Sequence, residues 1–205
     1  MAAPRIRIAR ALTVLVLAAV ALLAFLRPRE RRVTAPPPPP TGYEHATREG
    51  FVAVDADALL SRVRRSHAKG VVVNAWASWC GSCKADIPAL LGLRKTFGGD
   101  IDVLLVSVDE EASMPLAAEL LRGFGAPAPS FIVDQPLQAF KAAINPRWPG
   151  MLPATFLFDP KGKLRYFWGG PVMEDEITSL LRRYLAGEHI DGEANFALAP
   201  GAVSH

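Results

Sequence analysis

Cysteine is scarce in this chain, which has two, Cys80 and Cys83, among 205 residues. Two cysteines exclude a small domain held together by several disulfides. They also exclude a complete cysteine-ligated zinc site, because zinc takes four ligands and no second Cys-x-x-Cys or paired histidines occur. The four histidines are scattered along the chain, and we expect surface positions for them. The cysteines can therefore make one disulfide, one redox pair or half of a metal site.

The chain also lacks a basic surface beyond its N-terminus. The formal net charge is +3, yet seven arginines lie in the first 32 residues. Seven exceeds the whole net charge, so the remainder of the chain is slightly acidic. An extended basic face is what attracts nucleic acid. We therefore predict no nucleic-acid partner.

The N-terminal 49 residues contain an apolar run and a proline-rich segment. Residues 11–26 contain one polar residue, Thr13, and as a helix they would span about 24 Å, close to the roughly 30 Å hydrocarbon core of a bilayer. Flanking arginines can extend this reach by snorkelling. We predict a cytoplasmic n-region over 1–10 and a transmembrane anchor over 11–26, with a cleaved signal peptide as the alternative. Residues 27–49, which include five consecutive prolines, are predicted to be an extended linker.

Residues 50–187 alternate between short β-branched runs and longer helical patterns, which is typical of an α/β sheet covered on both faces. Predicted strands occupy residues 71–77, 101–108, 129–134, 154–159 and 164–168. Predicted helices occupy residues 81–97, 112–124, 136–143 and 172–186. Residues 188–205 carry few large apolar side chains, and we predict a flexible tail there.

The two cysteines lie at the start of a predicted helix. Cys80 follows the strand 71–77, and Cys83 lies three residues on, within disulfide reach on the same helix face. The unpaired N–H groups and positive dipole end of a helix N-terminus stabilise a thiolate. We expect Cys80 to be the exposed attacking thiol and Cys83 the buried resolving thiol of thiol–disulfide exchange. A structural disulfide, half a zinc site and two inert thiols remain as alternatives.

The segment "WCGSCK", residues 79–84, resembles the active site of the thioredoxin superfamily, and the resemblance covers roughly residues 50–187. Trp79 precedes the first cysteine, and Pro88 lies where the active-site helix of the family is kinked. Downstream, "GMLPATFLFD" resembles the cis-proline strand of the family, which makes Pro153 the expected cis-proline facing the disulfide. The resemblance implies a thioredoxin-like fold, a central mixed β-sheet flanked by helices, preceded here by an N-terminal transmembrane helix.

Within the superfamily, "VVVNAWASWCGSCKADIPAL" looks most like the membrane-anchored TlpA/ResA-like reductases of bacteria. Ordinary thioredoxin has a buried aspartate where Asn74 stands. This branch instead carries an acid three residues after the second cysteine, here Asp86, which implies that Asp86 takes the proton lost by the Cys83 thiol. A solvent-facing helix acid is the alternative for Asp86. Trp79 is expected to be a partly exposed lip that contacts the partner, and Leu152 to influence potential and partner choice.

The resemblance implies a single-pass thiol–disulfide oxidoreductase on the periplasmic side of the bacterial cytoplasmic membrane. Its clients would be proteins with disulfides or thiols, as in cytochrome c biogenesis, and a membrane electron donor would recharge it. We expect no cofactor beyond the redox-active Cys80–Cys83 disulfide, and no metal. A disulfide oxidant or isomerase, a peroxide reductase and, further off, a copper-delivery module are the alternatives. The dipeptide Gly81-Ser82 departs from the Gly-Pro of thioredoxin, so the direction of electron flow is a family-level expectation.

Overall fold

One mixed β-sheet organises residues 44–46 and 49–195, the part of the chain that the computed structural model describes. Its eight strands lie in the order β1-β2-β5-β4-β3-β6-β7-β8. The strands are β1 (Glu44–Ala46), β2 (Phe51–Val54), β3 (Gly70–Trp76), β4 (Ile101–Ser107), β5 (Ser130–Val133), β6 (Ala154–Phe158), β7 (Leu164–Gly169) and β8 (Gly192–Asn195). The neighbouring pairs among β2, β5, β4 and β3 are parallel, whereas β6 pairs with β3 and β7 in antiparallel fashion.

Five α-helices in the described residues cover the two faces of this sheet. They are α1 (Ala56–Arg65), α2 (Gly81–Phe97), α3 (Met114–Gly123), α4 (Leu137–Ile144) and α5 (Glu174–Leu185). Helix α2 is capped at its start by Cys80 and at its end by Gly98, whose φ of 55° lies in the region that favours glycine. Helix α5 has three acids in its first turn and two arginines in its last turn, which complements the helix dipole.

The alternation of side chains along the strands divides the core into two layers. Val72 and Trp76 of β3 pack with α2, α3 and α5, while Val71, Val73 and Ala75 pack with α1 and α4. Every residue of β3 is buried, as expected for a central strand covered on both faces. The core therefore holds β3 rigidly and fixes the place where the chain emerges toward Cys80.

The strand directions bring several connections to one edge of the sheet. We call this the cysteine edge: β3 ends there at Trp76, β4 ends at Ser107, and β6 begins at Ala154, which pairs with Ala75. Because β7 is antiparallel to β6, it also ends at this edge, at Gly169. The carboxyl ends of parallel strands are where α/β folds place their functional groups. The segments that start at the cysteine edge form the candidate site.

The predicted strands and helices over 71–186 are confirmed, each to within two residues at its ends. Strand β2 and helix α1, for which no element was predicted, precede them. The thioredoxin-like α/β arrangement with a central mixed sheet and flanking helices is likewise observed.

The predicted ends of the linker and of the tail need correction, because each of these segments contains an outermost strand of the sheet. The linker predicted over 27–49 contains β1, which pairs with β2, and the tail predicted over 188–205 contains β8, which pairs with β7. Both strands are short and poor in β-branched residues, so they have no hydrophobic pattern that would reveal them. They are held by backbone pairing with the neighbouring strand, which only the fold supplies. Gly192 meets a close approach there: a Cβ would lie 3.0 Å from Cε2 of Tyr166.

The n-region 1–10 and the anchor predicted over 11–26 lie outside the described residues, as do most of the linker and the last ten residues. Within the described ranges 44–46 and 49–195, none of the helices has the length and apolar character needed to span a bilayer.

Candidate active site

The cysteine pair occupies the start of α2 at the cysteine edge. After β3 ends, the Cys80 N–H donates to the carbonyl of Ala77 at 3.1 Å, and Cys80 then serves as the N-cap of the helix. Its Sγ accepts a hydrogen bond from the Cys83 N–H at 3.2 Å. The two residues form a disulfide, with their Cα atoms 5.3 Å apart. The Cys83 N–H in the first turn of α2 thus points toward the sulfur that would carry a thiolate after reduction.

The two sulfur-bearing residues differ in burial and surroundings. Cys83 is fully buried, whereas Cys80 is 7% exposed. In this disulfide form Cys80 is nearly buried. The expected exposure of Cys80 is therefore observed only relative to Cys83. The dipeptide between them, Gly81-Ser82, is exposed, and the Ser82 Oγ lies 3.5 Å from the Cys80 Sγ. Ser82, which stands where thioredoxin has proline, thus places a hydroxyl beside the Cys80 sulfur.

Trp79 is the most exposed large apolar residue of the described chain, with 67% of its surface accessible. It lies next to Cys80 and provides an aromatic surface beside the disulfide. Trp76, three residues earlier at the end of β3, is fully buried in the core. The structure therefore places Trp79 as the sequence predicted, on the surface, and separates it from Trp76.

Pro153 lies at the same edge as the disulfide. The Leu152–Pro153 peptide is cis, and Pro153 precedes Ala154, the residue of β6 that pairs with Ala75 of β3. The Pro153 carbonyl accepts from the Gly170 N–H at 2.9 Å. Pro153 is buried and Leu152 is half-buried. The expected cis-proline is thus present, next to the end of the strand that leads to Cys80.

The side chain of Trp148 supports the loop before Leu152. This side chain is 2% exposed, packs edge-on against Phe156 with ring centroids 5.3 Å apart, and donates from Nε1 to the Met151 carbonyl at 2.8 Å. A buried indole whose N–H is satisfied fixes the backbone that it touches. Trp148 therefore holds the Met151–Pro153 segment in place.

Asp86 lies in the second turn of α2 and points into the protein. It is 7% exposed, and its Oδ2 accepts from the Val172 N–H at 3.1 Å. Burial raises the pKa of Asp86 above its ordinary value, and the Val172 hydrogen bond offsets this in part. The alternative of a solvent-facing helix acid is therefore wrong. Asp86 and Cys83 lie three residues apart on one face of α2, and both are buried.

The position that is aspartate in ordinary thioredoxin is neutral here. Asn74 is fully buried in β3, and its Nδ2 donates to the Oγ1 of Thr155 on β6 at 3.0 Å. An amide cannot accept a proton near neutral pH. Of these two positions, only Asp86 therefore carries a carboxylate.

The cysteine edge also carries a buried acid that the sequence did not predict. Asp109 follows β4 at the cysteine edge, is 5% exposed, and accepts hydrogen bonds from Ser78 and Ser107. The available signal was its place directly after a buried strand, where α/β folds carry functional side chains. In the described residues, no group of three His, Cys, Asp or Glu side chains is arranged to hold a metal ion.

Comparison with known proteins agrees with this geometry. The sequence pattern of the AhpC/TSA family matches residues 51–167, more than half of the chain. The thiol-disulfide oxidoreductase ResA of Geobacillus thermodenitrificans is 29% identical over 140 residues, which cover 66% of this chain and 75% of that protein. ResA of Bacillus subtilis is 27% identical over 140 residues, covering 67% and 74%. A thioredoxin-family thiol:disulfide interchange protein of Chlorobium tepidum, whose crystal structure covers 74% of this chain and 98% of its own, shares the fold with a TM-score of 0.50 at 20% identity.

The family match includes both cysteines and the cis-peptide, the two features that the site brings to one edge of the sheet. The relatives are named for thiol–disulfide exchange, the chemistry that a Cys-x-x-Cys pair at a helix N-terminus supports. The chain belongs to the AhpC/TSA family and is a thioredoxin-like thiol–disulfide oxidoreductase.

Proposed function

We propose that this protein is tethered to the bacterial cytoplasmic membrane and reduces disulfides of client proteins on its periplasmic side. The observation that carries the proposal is the placement of Cys80 as the N-cap of α2, where its Sγ accepts the Cys83 N–H at 3.2 Å. After reduction, the same N–H groups would stabilise a Cys80 thiolate. A stabilised thiolate is the nucleophile that exchange requires.

The reaction proceeds through a mixed disulfide. The Cys80 thiolate attacks one sulfur of the client disulfide, forms the Cys80–client bond and expels the second client sulfur as a thiolate. The Cys83 thiol then loses its proton and attacks the Cys80 Sγ, which restores the Cys80–Cys83 disulfide and releases the first client sulfur. The client gains two electrons and the protein loses two. A dithiol donor must then return them, and the proposed donor is a protein of the membrane.

Asp86 is the proposed acceptor of the Cys83 proton. It is buried on the same face of α2, and burial raises its pKa toward the range in which a carboxylate can take up a proton. Its hydrogen bond from the Val172 N–H holds the carboxylate within the protein. The shorter Asp side chain, where the branch usually has Glu, is thus anchored by a backbone group of another segment.

The client contact surface consists of Trp79, Leu152 and Pro153 around the disulfide. Trp79 supplies exposed aromatic area. Leu152 and Pro153 lie directly before β6, at the cysteine edge. Trp148 supports this loop through Met151. A client segment that lies between Trp79 and Leu152 would present its own sulfur to Cys80.

The tether and the clients rest on the sequence. Residues 11–26 are the proposed anchor and residues 27–43 the proposed linker, because an apolar run between arginine clusters followed by prolines suits a domain held away from a bilayer. Apocytochrome c is the proposed client, on the resemblance to TlpA/ResA-like reductases.

The reduction potential of the full-length protein, equilibrated against glutathione or dithiothreitol buffers, tests the proposal. A two-electron transition below roughly −220 mV supports a reductant, whereas a value near −120 mV assigns the protein to disulfide formation. If no reversible two-electron transition occurs, the redox role of the cysteines is wrong. Peroxide consumption with dithiothreitol, measured on the same sample, would indicate the peroxide reductase alternative.

A further inference from the structure

A network of buried hydrogen bonds surrounds Asp109. Its Oδ1 accepts from the Ser78 N–H at 3.1 Å and from the Ser78 Oγ at 2.7 Å. Its Oδ2 accepts from the Ser78 N–H at 2.9 Å and from the Ser107 Oγ at 2.6 Å. Asp109, Ser78 and Ser107 are 5%, 2% and 0% exposed. Both carboxylate oxygens are therefore occupied, and a group with one acceptor oxygen could not replace them.

This network joins the end of β4 to the segment that carries Cys80. Ser78 lies two residues before Cys80, between the end of β3 and the start of α2. On the β4 side, the Asp109 N–H donates to the Ser107 Oγ at 3.0 Å, and the Val108 N–H donates to the Trp76 carbonyl at 2.9 Å. The carboxylate thus links two segments that are 31 residues apart in the chain.

We propose that Asp109 is a positioning residue for the exchange reaction. By holding Ser78, it fixes the turn from Ala77 to Cys80 and keeps the Cys80 sulfur in line with the N–H groups of α2. This alignment determines how strongly the helix terminus stabilises the thiolate, because the effect of a helix dipole falls off within the first turn. Asp109 acts through Ser78, and its hydrogen bonds reach neither cysteine.

The reactivity of Cys80 distinguishes a positioning role of Asp109 from a contribution of Asp109 to stability alone. The measurement is the pH dependence of iodoacetamide alkylation of the reduced full-length protein, with Cys80 modification counted by mass spectrometry. Ser78→Ala removes one hydrogen bond to Asp109 and leaves the charge in place. Asp109→Asn leaves a single acceptor oxygen and removes the charge. Because a less aligned thiolate is less stable, we expect the pH midpoint of alkylation to rise by about 0.2–0.7 of a unit in both variants.

Asp55→Asn is the matched control. Asp55 is also a buried aspartate directly after a parallel strand, and its Oδ1 caps α1 by accepting the Ala58 N–H at 2.7 Å. Because asparagine caps a helix about as well as aspartate, this variant should keep both the fold and the wild-type midpoint. The proposal requires a rise in both test variants: an unchanged midpoint overturns it in favour of a purely structural acid, and a fall in Asp109→Asn overturns it in favour of a direct charge effect.

The two variants also keep the proposal testable if one of them fails to fold. Ser78→Ala alters one hydroxyl, so it should fold even where Asp109→Asn does not, and its midpoint alone then decides. The inference concerns Cys80 reactivity in variant and wild type under identical conditions. It can therefore fail while the reducing function stands, and it can succeed if the measured potential assigns the protein to disulfide formation.

Discussion

The chemistry of single residues depends on an asymmetry between the two sulfurs. Cys80 retains slight exposure beside the accessible Trp79, whereas Cys83 is fully buried and lies next to the buried Asp86 on the helix face. A client disulfide can therefore approach Cys80 from solvent, but Cys83 is reached only from within the protein. This asymmetry supports the proposal that Cys80 is the attacking cysteine and Cys83 the resolving one.

Cys83→Ser should trap the mixed disulfide. The variant keeps the Cys80 nucleophile but lacks the thiol that releases the client, so a covalent Cys80–client adduct should accumulate. Cys80→Ser, the matched control, should form little or no adduct, because the remaining thiol is buried. Non-reducing gel electrophoresis after incubation with a disulfide-containing client measures the adduct. Equal adduct in the two variants would contradict the assigned roles.

Asp86→Asn should slow the release of the client. The amide cannot take the Cys83 proton, and loss of a positioned proton acceptor typically costs about 100-fold or more in rate. Stopped-flow tryptophan fluorescence after mixing the reduced protein with a client disulfide measures the rate. Asp86→Glu, the acid usual in this branch, is the control and should retain most of the activity. Wild-type rates in Asp86→Asn would show that another group accepts the proton.

Asp86 should also make stability depend on pH. Burial raises the pKa of Asp86 in the folded protein above its ordinary value of 3.8. Its contribution to folding is therefore fully present below pH 3.8 and is lost as pH rises through the raised folded pKa. The free energy of unfolding of the wild type minus that of Asp86→Asn should fall as the pH rises above 3.8 and through the raised pKa of Asp86. Urea denaturation of both proteins across this range measures the difference, and a rise would refute the assignment.

At the scale of elements, the edge strands are held by contacts rather than by their own propensities. Strand β8 pairs with β7 in parallel fashion. Arg165 of β7 also binds the two residues directly before β8. The Arg165 Nε lies 2.8 Å from Oδ1 of Asp191 and donates to the Ile190 carbonyl at 3.1 Å. Its Nη1 lies 3.8 Å from Oδ2 of Asp159. Arg165 is only 16% exposed in its side chain, so these pairs are less screened than surface pairs.

Arg165→Ala should destabilise the protein by about 1–2 kcal/mol, since it removes charge-assisted hydrogen bonds that attach the C-terminal strand. Lys161→Ala is the control, because Lys161 is an exposed cation on the neighbouring hairpin turn and should change stability by about 0.5 kcal/mol or less. Urea denaturation gives both values. Equal effects of the two substitutions would mean that Arg165 does not hold β8.

At the scale of the whole molecule, the folded unit extends further than hydrophobic patterns indicate. The sheet runs from Glu44 to Asn195, whereas the sequence predicts a domain over 50–187. The residues added at each end form the outermost strands, β1 and β8. An edge strand covers the polar backbone of its neighbour, so its loss exposes a new edge.

Truncation should reveal the true N-terminal boundary. A protein that starts at residue 50 lacks β1, and its free energy of unfolding should be about 1–3 kcal/mol lower than that of a protein that starts at residue 40, because the pairing with β2 is lost. A protein that starts at residue 44 retains β1 and should match the longer one. Urea denaturation of the three oxidised proteins makes the comparison. Identical midpoints for all three would show that β1 contributes nothing.

Much of this protein could be predicted from local sequence. The cysteine pair and its place at a helix start are recognisable within a short window, because hydrophobic runs and helix caps are local features. The strands and helices between 71 and 186 follow for the same reason. The exposed Trp79 and the cis peptide at Pro153 follow instead from the resemblance to the thioredoxin superfamily. Helix α1 was missed although its N-cap Asp55 is itself a local signal.

Tertiary structure alone decided the surroundings of the cysteines and the extent of the sheet. The burial of Asp86 depends on Val172, 86 residues away, and the hold on Ser78 depends on Asp109, 31 residues away. Strands β1 and β8 exist because neighbouring strands offer backbone partners. Local sequence determines which residues can react, since reactivity begins with side-chain type and helix position. Contacts between distant segments determine proton transfer and alignment, because these require groups that only folding brings together.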